Sequence, residues 1–250
     1  TAQAQALATQ QAYALKTAQL VAMETADFIA VNTASLSSLT TAQVVALTTA
    51  QAQALLTQQA YALLPSQLVA METADFAAIT TASIAALQTA QVVALTTADI
   101  IALTTAQAES ITTQQVFALT TAQLVAMTTA QMAAFTTDQV VALTTDQASS
   151  LKTAQLAGMT TAQIAVMETD DLVALSTAQI RSLTSAQLSY LTSDQISSLE
   201  TVDIAALTNA QVKALSTSQL SGFTDDQITA LTTSQQSALS TAQKTVLGLS

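Results

Sequence analysis

Large apolar residues return along this chain every eight positions, without insertion or deletion, from Leu7 to Leu247. With the octad labelled a to h so that Leu47 is a and Ala54 is h, position a is Leu, Ile, Met, Val or Phe in all 31 copies. Position f is apolar in 29 of them, failing at Gln236 and Lys244. Between these lies e, which is Gln in 24 copies and Asp27, Ser35, Asp75, Ser83, Asp99, Asp171 or Asp203 in the others. Position c is Thr, Ser, Asn or Asp except at Pro65, and h is small except at Val166, Tyr190 and Val246. An f residue and the following a residue are three apart, as Val44 and Leu47 are, which places them on one helix face but on opposite faces of a strand. Ala, Gln and Leu favour helix although Val and Thr pull the other way. The joints are Thr-rich, whereas β-solenoid corners recruit Gly, Asn or Asp. The pattern predicts an all-α fold.

A single long helix does not fit. Eight residues at about 100° each leave about 80° over, so the apolar stripe would wind around the rod. The pattern predicts instead a chain of helices of about six or seven residues, broken at the Thr pair of each octad and stacked because helices this short do not stand alone. That is an α-solenoid, with Leu47, Leu95 and Leu143 at a and Val44, Val92 and Val140 at f filling its interior. Gln43, Gln91 and Gln139 at e fall at the edge of that interior, able to hydrogen-bond backbone carbonyls or other Gln between coils. The cap has two candidate registers. Thr41, Thr89 and Thr137 stand for c, where an oxygen-bearing residue recurs in nearly every copy. A cap at b makes b-x-x-e a Thr-x-x-Gln capping box and suits Pro65 at the first helical position. Lys16, Leu56, Leu64 and Gln88 at b cap poorly, so c is preferred.

The lattice runs through residues 1–250 as one continuous array with no linker. Residues 1–48 and 49–96 agree at 37 of 48 positions, so six octads were copied as a block. Both ends cut into the lattice, as a window on a longer array would, while Gln236, Lys244 and Gly248 read alternatively as a carboxy-terminal cap. Position g carries Tyr13, Tyr61, Phe117, Glu109, Arg181 and Lys213, a tolerance that predicts an outward face. Val45, Val69, Val93, Ile101, Val125 and Val141 would then form an apolar stripe for packing against identical chains. If g is instead half-buried, the stripe belongs to the solenoid itself.

Composition then removes function classes. The chain has no His and no Cys, which excludes thiolate metal sites, disulfides and the usual neutral-pH general base. Five Lys and Arg against 16 Asp and Glu give a net charge of −11, which disfavours nucleic acid and anionic membranes. Fifteen of the acids sit at b to e, near the positive helix ends, and only Glu109 does not. Apolar runs are too short for a transmembrane segment. Lys213 with Ser216, and the pairs Asp170–Asp171 and Asp225–Asp226, read as surface and helix-start residues rather than a catalytic dyad or cation loops. The Met residues, five at a and Met132 at f, read as core. No enzyme, cofactor or metal is expected.

The string Leu-Thr-Thr-Ala-Gln-Val-Val-Ala-Leu at 39–47, nearly repeated at 87–95, resembles the first helix of TAL effector repeats. That family's longer two-helix unit and basic inner face are missing, so DNA recognition is not implied. Over its whole length the chain resembles the Leu-Thr-Thr-Ala-Gln-type octad arrays of very large bacterial surface proteins, described as adhesin-like. This resemblance implies an extracellular or cell-surface structural role, as a stalk or self-assembling filament. Haem binding is not carried over, because no axial His exists. The alternative is a repetitive binding module whose Thr or outward positions hold a surface glycan or ice.

Overall fold

The computed structural model of the chain describes residues 2–249. These form 31 α-helices, α1 to α31, one in each octad, with no strand among the described residues. Each has four to six residues, slightly shorter than the spacing predicts; α7 is Thr49–Gln53 and α8 is Thr57–Ala62. A helix ends because a and b are extended. After α8, Leu63 has φ −60° and ψ 142°, and Leu64, which caps α9 (Pro65–Ala70), has φ −74° and ψ 150°. Such polyproline-like angles suit any L-residue, so the joint needs no glycine. Gly248, with φ 68°, holds the one positive φ among the described residues.

The joint therefore lies at a and b, and the cap is b rather than c. The Thr48 hydroxyl accepts from the Gln51 amide at 3.3 Å, while the Thr48 amide donates to Gln51 Oε1 at 3.0 Å. Thr41, Thr89 and Thr137 are the first helical residues instead, and they are exposed. The register follows from what e can do. Capping at b puts Gln at the third helical position, where its side chain reaches back to the cap amide. Capping at c would put apolar f there, which has nothing to return. The poor cappers at b are tolerated because that return bond survives without a hydroxyl: the amides of Leu56, Leu64 and Gln88 donate to the Gln three residues on at 3.0, 2.7 and 2.6 Å.

The chain folds as two compact units, residues 1–134 and 135–250. In the first, α10 (Thr73–Ala78) packs on α7 and α13 (Thr97–Ala102), three helices before and three after it. In the second, α27 (Asn209–Ala214) packs on α24 (Ser185–Ser189) and α30 (Thr233–Ala238) in the same way. Each unit is an α-solenoid in which elements too short to be stable alone hold one another through neighbour contacts. Leu47, Leu95 and Leu143 at a are buried with Val44, Val92 and Val140 at f, and Phe28 and Phe76 are the bulkiest fully buried residues at f. Met71, Met127, Met132, Met159 and Met167 are core, while Met23 is half-buried. Small h residues allow close approach: a Cβ added at Gly222 would lie 3.1 Å from Ser193 Cβ.

Candidate functional site

The most specific feature of the structure is the buried side chain at e. Gln51 is almost fully enclosed, a costly place for an amide unless every polar atom is bonded. Its Oε1 takes the cap amide of its own helix. Its Nε2 donates to the carbonyls of Leu20 at 2.8 Å and Met23 at 3.0 Å, 31 and 28 residues earlier. Those carbonyls lie at the end of α3 (Thr17–Val21), where a helix has oxygens to spare. One side chain thus closes the start of its own helix and the end of another. In the second unit Gln219 repeats this with Leu188 at 2.9 Å and Leu191 at 2.7 Å. The link reaches four helices back while the helices pack three apart, so a turn of each solenoid takes between three and four octads. Gln43 and Gln91 make the same bonds, and Gln139 is buried like them. No buried side-chain polar atom among the described residues lacks a partner.

Among the seven exceptions at e, two serines and three aspartates change the link by rule. Serine keeps a single donor: the hydroxyls of Ser35 and Ser83 donate to Leu7 at 2.6 Å and Leu55 at 2.8 Å, each 28 residues earlier. Aspartate has no donor, and the direction reverses. Asp75 accepts from the Thr49 hydroxyl at 2.7 Å, and Asp99 from Thr73 at 3.4 Å, both from a c residue 26 positions earlier. Asp99 also takes the amide and hydroxyl of its cap, Thr96, at 3.0 and 2.7 Å. Asp171 follows suit with Thr145. Burial pushes its carboxyl above the ordinary carboxylate range; the Thr145 bond opposes this, and Glu168 and Asp170 add to it.

Outside, g divides by position. Val45, Val69, Val93 and Ile101 are exposed in the first unit and Val141 in the second, whereas Val125 is half-buried. Most Thr at c are exposed, though Thr161 and Thr177 are half-buried, while hydroxyls at b, such as Thr48 and Thr120, are engaged in caps. The reactive-looking neighbours are ordinary. Ser216 caps α28 (Thr217–Leu220), accepting the Gln219 amide at 3.2 Å, and Lys213 is exposed on α27. Asp225 and Asp226 lie exposed in the first turn of α29 (Asp225–Ala230), and of the other pair only Asp171 is buried. Among the described residues no three His, Cys, Asp or Glu group to hold a metal ion, and no helix is long and apolar enough to cross a membrane.

The bonds from Gln43 and Gln91 at e to backbone carbonyls of another turn are among those the octad led us to expect, whereas the return of e to the cap at b is not what the preferred register gave. The signal for that return bond was the near-fixed Gln three residues after b. No curated protein matches the chain. The ALTTAQ repeat matches it at residues 20–57, 68–105, 108–145, 120–153, 164–201 and 196–233. Those letters are h, a, b, c, d and e of the octad: the residue ahead of the joint, the joint, the helix start and the buried Gln. The chain belongs to the ALTTAQ repeat family.

Proposed function

We propose that this protein is a structural repeat, a stalk or self-assembling filament segment at the bacterial cell surface, and not an enzyme. The observation that carries this reading is the use made of the octad. Inward positions hold one turn to the next, and the position with most freedom, g, leaves Val45, Val69, Val93 and Ile101 uncovered. Apolar side chains repeated on an exposed face favour lateral contact with another copy. The absence of His and Cys from the sequence supports the non-enzymatic part. Electron microscopy and sedimentation of the chain test it. Filaments or lateral assemblies are expected, weakened by changing those four residues to Ser. Compact globular monomers at every concentration would contradict it.

A further inference from the structure

Three octads differ from the rest in two places at once. Position d is Gln only at Gln10, Gln58 and Gln114, and g is aromatic only at Tyr13, Tyr61 and Phe117, three residues later in the same octads. A spacing of three puts each amide beside its ring on one helix face. The rings are 63 %, 56 % and 65 % exposed, and the three Gln are exposed as well. Nothing in the core requires this pairing.

The middle copy stands in a shallow, open depression of about 580 Å³. Its walls come from α5 (Thr33–Ser37) with Thr33, from α8 with Thr57, Gln58 and Tyr61, and from Ala86 and Gln88 in the joint that follows α11 (Thr81–Ala85). The Gln88 side chain is fixed there by donating from Nε2 to the Tyr61 carbonyl at 2.9 Å. The lining therefore offers one aromatic face, two amides, three hydroxyls (Thr33, Thr57 and that of Tyr61) and no charge. Helices α5, α8 and α11 belong to successive turns, so the depression runs across the turns and suits an extended ligand.

We infer that the Gln58–Tyr61 depression binds a neutral, linear glycan of β-linked glucose or N-acetylglucosamine type. A pyranose with equatorial hydroxyls has an apolar C–H face for the ring and a polar rim for amides and hydroxyls. Tyrosine provides such amphipathic contact at small entropic cost. The uncharged lining, in a chain of net charge −11, selects against anionic polysaccharides. The inference is independent of self-association.

Titration of the full chain with cellohexaose and chitohexaose, followed by NMR and calorimetry, tests it. One of the two should bind with a dissociation constant of about 1 mM or tighter, shift the Tyr61 ring resonances and outcompete its monosaccharide. Tyr61→Ala should weaken binding by about tenfold or more, Gln58→Ala by less, and Tyr61→Phe should retain it. Circular dichroism of each variant checks that the helices remain. Failure of both hexasaccharides at about 10 mM, or equal binding by Tyr61→Ala, overturns the inference. So does a Tyr61→Ala variant that loses only self-association, because the ring would then belong to a contact between copies.

Discussion

Gln187 donates from Nε2 to the carbonyl of Leu156 at 2.8 Å, across one turn of the second solenoid. The same nitrogen also reaches Met159 at 2.8 Å, and Oε1 takes the Thr184 amide at 2.7 Å. Replacing Gln187 with Leu keeps the bulk and leaves these groups without that partner in a buried place. The expected loss is about 2–4 kcal/mol, from the desolvation cost of each stranded group. Denaturation of the variant measures it, and faster hydrogen exchange at the Thr184 amide should locate it.

The two capping registers are separated by neighbouring threonines. Thr120→Ala removes the hydroxyl that accepts the Gln123 amide at 3.2 Å and should cost about 1 kcal/mol. Thr121→Ala, one residue on at the exposed first helical position, should stay within about 0.5 kcal/mol of the parent. Thermal melts of the pair decide between b and c.

Asp171 gives a pH dependence of definite sign. Its carboxyl titrates higher in the folded chain than its ordinary 3.8, so folding favours the protonated form. Its contribution to stability is greatest below that ordinary value and is lost as pH rises through the folded value. Asp171→Gln removes this dependence and restores a donor toward the carbonyls 28 and 31 residues back. A gain of about 1–2 kcal/mol is expected at neutral pH, shrinking as the solution is acidified. Melting temperatures of parent and variant across the acid range check both parts.

The helix, its apolar a and f positions and the solenoid class were legible because they depend on spacing within one octad. Val44 and Leu47 three apart suffice for the face, and the brevity of the unit forces stacking. The capping register was harder, because b and c are both usually Thr and the decision rests on Gln51, not on either threonine. Reading c as the cap gave too much weight to Lys16 and Leu56 at b. There the amide of Leu56 is satisfied by Gln59 without any hydroxyl. The number of octads per turn was not legible at all. It is set by bonds 25–31 residues long, such as Asn32 to Leu7 and Gln51 to Leu20, whose span is no multiple of the octad.

Position g should separate folding from assembly. Val93→Ser and Ile101→Ser change exposed side chains, so each should alter stability by no more than about 0.5 kcal/mol. If lateral contact uses this face, the double variant should sediment as smaller species at the same concentration. Unchanged sedimentation would remove these two residues from the contact.

Exchange of the side-chain amide protons at e reports whether these residues act as bonds between turns. The Nε2 protons of Gln51, Gln123 and Gln187 are buried and hydrogen-bonded, whereas those of Gln10, Gln53 and Gln114 belong to exposed side chains. Side-chain amide exchange, measured by NMR on the folded chain, should be slower for the first three by about a hundredfold or more, since release requires local opening of the stack. Equal rates for the two groups would mean that the e side chains do not hold the turns together.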